Sequence, residues 1–410
     1  MAGRPAALQE GTHMDWFLGK EQVALVEEVR GFAERYLDPA SVARWRRDMG
    51  LPYDVVREFV NLDFKGFGVV RRNVDRGFDM LAQVLVSEEL ARYTGQALPF
   101  FYDMLQLQIL EAFASPEQAD AVLGEYQQTG RLAFALAVSE PGGGSDTMSM
   151  ETKVVREGGR LVLRGAKSFV ANGEFAPNLM VSAVDGTEGA EFGGAGKLTM
   201  WMIPRGTPGV SIVPEEKIGQ PFLPFASIQL DDVELDEGWL LHDLSRGFSQ
   251  VFAFFEFGRI FLCATALGEA QAAMEDAVAW ARERKAFGTP IGQFQQIQQM
   301  VTDMEVKLTN MRNLVYKAAW EFDNDVHDRL TVAMMKRYVP AAATEVASDA
   351  MQILGGRGYT TRERVSSIWQ DCRGFQIAEG TDQIMVYIAA PLIFSRYATE
   401  QPPFMQVTPE

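Results

Sequence analysis

The sequence predicts a mainly α protein with a central β domain. Three observations carry this: helix-period apolar stripes in the first third, short β-rich pieces between turn residues in the middle, and long helical stripes towards the end. From Glu21 to Leu37 the apolar residues Leu25, Val29, Phe32 and Tyr36 recur at steps of three and four, so they share one face of a helix. Met80 to Tyr93 and Leu105 to Phe113 read as further helices. Ser115-Pro116 reads as an N-cap followed by proline at the first helical position, where its missing N–H costs nothing. After Phe134 the texture changes. The pieces Arg160 to Arg164, Leu179 to Val184, Leu198 to Ile203, Val210 to Val213 and Ser227 to Leu230 are separated by Gly, Pro, Asp and Asn turns and predict an antiparallel barrel or sandwich. From about Phe248 the helical period returns. Met300, Met304, Leu308, Met311 and Val315 form one stripe, and Leu267, Ala270, Met274, Ala277 and Ala281 a second whose small residues permit close approach, as in a bundle. The expected organisation is a leader over 1–13, a helical domain over 14–132, a β domain over 133–245, a helical bundle over 246–398 and a tail over 399–410.

Composition narrows the function classes. With 410 residues, 47% of them hydrophobic, the chain can bury a large core. Its 38 Lys and Arg stand against 55 Asp and Glu, and the net charge of -17 gives no reason to expect a nucleic-acid partner. Any site for an anionic ligand must be locally basic. Cys263 and Cys372 are too few for a disulfide framework and lack metal-ligand spacing, which suits a reducing cytoplasm. His13, His242 and His327 lie far apart without a zinc pattern. No apolar run of about 18 residues is present to span a bilayer, and the first residues carry no signal-peptide stretch, so a soluble cytoplasmic protein is expected. The glycine-rich stretch from Phe192 to Leu198 lacks the first Gly of a P-loop and the Ser or Thr after Lys197; it reads as a hairpin loop.

Five short stretches carry the chemistry. Leu136 to Asp146 (LAVSEPGGGSD) has glycines that let backbone N–H groups approach a ligand and hydroxyls that can bond it. Gly165 to Gly173 (GAKSFVANG) reads as a strand that carries an aromatic residue into a turn. Arg282 to Ile291 (RERKAFGTPI), with Phe294-Gln295, closes one helix and opens the next, and Gln352 to Gly358 (QILGGRG) and Ala378 to Ile384 (AEGTDQI) follow. Singly, each serves equally well as a turn or helix break. Jointly and in this order they resemble the acyl-CoA dehydrogenase family from about Met14 to Tyr397, with a likeness to its crotonobetainyl-CoA reductase-type members through the segment from Ala281 to Asn324.

The resemblance implies an N-terminal helical domain, a middle β-barrel and a C-terminal four-helix bundle, with FAD between the last two, in a homotetramer or homodimer. It implies an acyl-CoA substrate, electron-transferring flavoprotein as redox partner, and a place in fatty acid or carnitine metabolism. The positions matching flavin contacts are Val138, Ser139, Gly144, Ser145, Phe169 and Ala171 in the β domain. Arg284, Phe287, Gln295, Gln352, Gly355 and Gly356 match contacts made across a subunit interface to the pyrophosphate and adenine end, and Thr381 and Gln383 complete the set. Ser145, Ala378 and Gly380 match substrate contacts.

Dehydrogenating a thioester at Cα–Cβ needs a base, an electron sink and donors to the carbonyl oxygen. By resemblance Glu379 takes the pro-R α-proton while a hydride leaves for flavin N5, and its backbone N–H polarises the carbonyl with a flavin ribityl hydroxyl. Burial should raise its pKa. Some family members place the base at the position of Gly258, which cannot serve; Arg259 reads as electrostatic support and Glu256 as structural. Four departures stand out. Ala171 replaces a Thr or Ser that bonds flavin N5, an interaction of about 1 kcal/mol, Phe169 replaces a Trp, and Pro221 replaces an Arg in a loop expected to be rearranged. Ala378 replaces the Tyr of medium-chain enzymes, which leaves space for a branched or bulky acyl group unless another side chain fills it. An oxidase-like flavoenzyme and a catalytically idle acyl-CoA-binding subunit are the alternatives, Ala171 favouring the second.

Overall fold

The stripe of Leu25, Val29 and Phe32 is buried on α1 (Lys20–Tyr36), with Tyr36 half-buried at its end. The structure, a computed structural model, describes residues 18–48, 50, 53–61, 79–131, 134–189, 191–192, 198–241, 247–326 and 328–398. The leader, the tail, the 193–197 loop, His13, His242 and His327 lie outside the described residues. Asp38 caps α2 (Pro39–Arg47) by accepting from the Ser41 N–H, and α3 (Tyr53–Asn61) follows. α4 (Met80–Thr94) is buried nearly all round, because α1, α7 and α8 pack against it, and it stops at Gly95 in the left-handed region. α5 (Phe100–Phe113) begins well before Leu105, and α6 (Pro116–Thr129) opens on the reciprocal Ser115–Gln118 capping box.

The middle of the chain forms one seven-stranded sheet: β1 (Ala135–Ala137), β2 (Lys153–Glu157), β3 (Arg160–Ala171), β4 (Asn178–Asp185), β5 (Leu198–Pro204), β6 (Val210–Glu215) and β7 (Phe225–Leu235). The expectation of a wholly antiparallel arrangement is corrected. β1 and β2 both run parallel to β4 and share one of its edges, β1 against Leu179–Val181 and β2 against Val184 and Asp185. The loop between β1 and β2 carries the chain along the sheet instead of turning it back, which a hairpin would require. Two register shifts against β7 interrupt β3, one between Leu163 and Gly165 and one between Lys167 and Val170. The second turns Phe169 outwards at φ 57°.

The last part is a helical bundle: α7 (Gly247–Glu283), a two-residue hairpin of β8 (Lys285–Ala286) and β9 (Thr289–Pro290), then α8 (Gln295–Asp323), α9 (Arg329–Leu354), α10 (Arg364–Phe375) and α11 (Asp382–Tyr397). α9 packs against each of the other four long helices. Met304, Leu308, Met311 and Val315 are fully buried, as are Leu267, Ala270 and Ala277. A Cβ at Gly268 would stand 2.2 Å from the Glu88 carbonyl oxygen, so the small-residue face lets α7 touch the backbone of α4.

Asp371 ties the three regions together. Arg46 of α2 grips its carboxylate with bonds of 2.9 and 3.1 Å, and the Gln220 N–H of the β6–β7 loop donates to it at 2.5 Å. Beside it Glu269 of α7 is buried, and burial holds its carboxyl well above the usual range.

Candidate functional site

Between α10 and α11 the chain makes a short loop closed at its base. The Asp382 N–H donates to the Gln376 carbonyl at 3.2 Å, the Gln376 side-chain amide donates to the Asp382 carboxylate at 2.9 Å, and the Thr381 hydroxyl caps α11. At the tip, Glu379 and Gly380 both take positive φ, 55° and 92°. A glutamate in that region is strained by on the order of 1 kcal/mol and persists only when its surroundings fix it. Two buried cations do so. Arg259 Nε from α7 donates to the Glu379 carbonyl at 3.0 Å, and Lys336 Nζ from α9 donates to the Gly380 carbonyl at 3.0 Å.

So held, the Glu379 carboxyl folds back onto α7. A Cβ built on Gly258 would lie 2.8 Å from its Cδ and from Oε2, so the carboxyl occupies the space a side chain at 258 would need. The two base positions considered from the sequence meet at one point: residue 379 supplies the carboxyl and residue 258 the room. Glu379 is half-buried overall, yet its Oε2 is closed off from solvent and has no hydrogen-bond partner among the described residues. Burial pushes the carboxyl up to about 7, while the charges of Arg259 and then Lys336 pull it down. Tyr102 of α5 is buried close by and bonded to the Leu136 backbone; burial and then the Glu379 charge raise its phenol. Glu256 acts on Arg259 through its charge. Ala378 is exposed beside this cluster.

The β domain presents a second group. Lys167 of β3, fully buried, donates to the Val138 carbonyl at 3.2 Å and to the Glu140 carboxylate at 2.8 Å. Glu140 accepts in turn from the Glu151 and Thr152 N–H groups, and the Ser139 carbonyl accepts from the Ser168 N–H at 2.9 Å. The loop from Val138 to Asp146 is thereby fastened along β3, leaving Gly144 and Ser145 exposed. Phe169 is 62% exposed, and its ring stands 6.3 Å from that of Phe225, the cross-strand partner of Ala171. Before Pro221 the loop is bent at Gln220, φ 52°, and pinned to Asp371. A cavity of about 550 Å³ opens beside Glu140, Arg164 and Asp232, and no residue of the Glu379 cluster lines it.

A third group gathers at the far end of the bundle. The Arg284 and Arg357 guanidinium groups both approach the Trp280 ring, 6.0 and 4.8 Å from its centroid, so the start of the β8–β9 turn and the end of α9 meet there. Phe287 is 97% exposed on that turn and Gln295 opens α8, while Gln352, Gly355 and Gly356 end α9. Along α7, Trp280 and Gly258 are roughly 33 Å apart at about 1.5 Å per residue. Within one chain this group is therefore not brought to Glu379. Thr381 and Gln383 lie beside Glu379 by virtue of the loop.

Sequence reasoning missed Lys336 and Tyr102. Lys336 carried a signal: it is a charge on the stripe of α9 that buries Ala343 and Ala347, and a lysine there needs a partner inside the protein. Tyr102 sits in an apolar run with no such mark.

Among the described residues no three His, Cys, Asp or Glu side chains gather as a metal site, and no helix is long and apolar enough to cross a membrane. Comparison with known proteins gives a consistent result. The pattern of the acyl-CoA dehydrogenase N-terminal domain matches residues 19–129, that of the middle domain 135–233 and that of the C-terminal domain 245–393. A probable acyl-CoA dehydrogenase of Escherichia coli, YdiO, is 33% identical over 94% of this chain and 99% of its own. An acyl-CoA dehydrogenase structure from Slackia heliotrinireducens is 57% identical, with TM-score 0.85 over 93% of this chain and 98% of that one. Butyryl-CoA dehydrogenase from Megasphaera elsdenii is 27% identical, with TM-score 0.82 over 93% of this chain and all of that one (100%).

Proposed function

The chain belongs to the acyl-CoA dehydrogenase family, and from that premise we propose that Glu379 is the group that exchanges the α-proton of an acyl-CoA thioester. Members of the family are FAD-dependent oxidoreductases, and this chain is an acyl-CoA dehydrogenase and a flavoprotein in that general sense. Its residues fit the cofactor. Phe169 offers an exposed ring face, the loop from Val138 to Ser145 is fastened beside it, and Glu379 Oε2 is a buried acceptor without a hydrogen-bond partner among the described residues. When bound, FAD supplies the acceptor for the β-hydride.

The chain's own part is positioning and proton transfer. Val138, Ser139, Gly144, Ser145 and Phe169, with Ala171, hold the flavin from the β side, and Thr381 and Gln383 hold it from the α11 side. Ala171 contributes no hydroxyl. The acyl-CoA lies along Ser145, Ala378 and Gly380, its thioester oxygen accepting from the Glu379 N–H. Small Ala378 gives the acyl group room for a branch or bulky substituent. Glu379, poised near 7, takes the α-proton when ionised and returns it when protonated, so the same carboxyl serves dehydrogenation and enoyl-CoA reduction. Arg259 and Lys336 keep its backbone in the strained turn that aims it. Because Arg284, Phe287, Gln295, Gln352, Gly355 and Gly356 lie far from Glu379, they serve the flavin of a second subunit in a homotetramer or homodimer. Electron-transferring flavoprotein is the redox partner, and the two buried free cysteines suit a cytoplasmic location.

The observation that carries this reading is the Glu379 carboxyl, sequestered against Gly258 with its affinity for protons raised towards neutrality. Anaerobic bleaching of the bound flavin by a panel of short, branched, aromatic and betaine-type CoA esters tests it. Glu379→Gln should lose about 10²- to 10⁴-fold in the rate of bleaching while keeping its flavin. An unchanged rate would remove Glu379 from the mechanism, and no bleaching by any ester in the unaltered protein would favour the idle binding subunit that Ala171 suggests.

A further inference from the structure

The β6–β7 loop carries a buried cation that the proposed chemistry does not use. Lys217 Nζ is closed off from solvent and has no hydrogen-bond acceptor among the described residues. It rests instead on the Phe225 ring, 4.2 Å from the centroid. Phe225 pairs with Ala171 across the sheet, and its ring stands 6.3 Å from Phe169. The ammonium thus lies against the ring that neighbours the exposed Phe169.

Its surroundings compensate the charge only in part. The carboxylate that acts on it, Asp371, is already gripped by Arg46 at 2.9 and 3.1 Å and by the Gln220 N–H at 2.5 Å. Asp371 and Arg46 pull Lys217 in opposite senses, Asp371 the more strongly, and neither outweighs burial. Glu269, next to them, has its carboxyl raised by burial, which disfavours its charged form. Burial lowers the Lys217 ammonium to about 8, so most of it is charged at neutral pH. A buried ammonium lacking an acceptor is costly, and its contact with a ring offsets that cost only in part.

We propose that Lys217 is a positioning residue for the redox step, a positive charge without a hydrogen-bond acceptor among the described residues that lies against the Phe225 ring beside Phe169 and makes the bound flavin easier to reduce. This rests on the proposed seating of the flavin along Phe169 and Ala171. A neutral oxidised flavin that accepts a hydride, two electrons and a proton, gains one negative charge, and a nearby cation stabilises the reduced form. A fixed charge one aromatic ring away, at an effective dielectric constant of about 20, changes that equilibrium on the order of tenfold. Ala171 gives this chain a reason to need it, since no side-chain hydroxyl is available there to the flavin.

The test is the midpoint potential of the holoprotein, read by equilibration with a reference dye, in the unaltered chain and in Lys217→Met, Lys217→Gln and Lys217→Arg. Either neutral variant should hold FAD and show a reduction equilibrium about tenfold less favourable, about 30 mV lower for a two-electron couple, and Lys217→Arg should restore it. An unchanged potential in a neutral variant that holds FAD overturns the proposal, as does an equal shift in all three variants. Loss of FAD from both neutral variants but not from Lys217→Arg also overturns it, because the lysine would then be holding the pocket together. An unaltered chain that binds no flavin would instead sink the seating on which the proposal rests.

Discussion

Gly258→Ala separates the geometry at Glu379 from general stability. The new Cβ would stand 2.8 Å from Cδ and Oε2 of Glu379, whereas ordinary contact begins at 3.4 Å. The carboxyl must therefore move by about 0.6 Å or more, and the tip of its loop cannot follow easily, because Arg259 and Lys336 hold the carbonyls of residues 379 and 380. Misplacing a reacting group by about 1 Å can cost on the order of 10²-fold in rate. Backbone effects act the other way: in a helix interior alanine is favoured over glycine by about 1 kcal/mol, and residue 258 is helical. The expected outcome is a rate of anaerobic flavin bleaching lower by about 10²-fold, with a thermal midpoint equal to or above that of the unaltered chain. Wild-type rates in Gly258→Ala would refute the placement of Glu379 against α7. A large loss of stability would show that position 258 is needed for packing and not for room at the carboxyl.

The pH dependence follows from the same carboxyl. As a base it acts when ionised, so kcat/KM for dehydrogenation should rise with pH through about 7, and Lys336→Met, which removes a charge that lowers Glu379, should move that rise to higher pH. A profile flat across neutrality, or a shift to lower pH in the variant, would contradict the assignment. Stability carries the opposite sign. The Glu379 carboxyl is raised above its ordinary value of 4.5 in the folded chain, so its protonated form favours folding fully below about 4.5, and that contribution is lost as pH rises through about 7. Chemical denaturation should accordingly show Glu379→Gln gaining on the unaltered chain over this window, by up to about 3 kcal/mol. Arg46→Met leaves Asp371 buried at the junction of three regions without its partner and should destabilise by about 3–5 kcal/mol; a loss below about 1 kcal/mol would mean that the Arg46–Asp371 pair is not what joins them.

How far the fold was legible depended on how local its causes are. The stripe of Leu25, Val29 and Phe32 and the Ser115–Gln118 capping box are set within a few residues of chain, and the structure keeps both. The start of α5 was hidden because the residues from Leu98 to Tyr102 are apolar throughout, so no period marks where the helix begins. β2 was missed because Lys153 to Glu157 buries only Val154 fully, and the parallel pairing of β1 follows from where the chain re-enters the sheet, which no property of a three-residue strand records.

The site divides in the same way. The stretch from Ala378 to Ile384 is contiguous, so Glu379 and the cap at Thr381 could be picked out, and the glycine at 258 could be read as unfit to be a base. What the glycine does instead, making room for the carboxyl of residue 379, depends on two helices and a loop brought together across the bundle. The same is true of Lys336, which meets the carbonyl of Gly380 from the neighbouring helix, and of Tyr102, which comes from the N-terminal region. The chemistry of this site thus lies in residues a motif can hold, while the strain, burial and charge that tune it come from residues that only folding assembles. A motif transplanted without Gly258, Arg259 and Lys336 would carry a carboxylate of ordinary acidity on a relaxed loop.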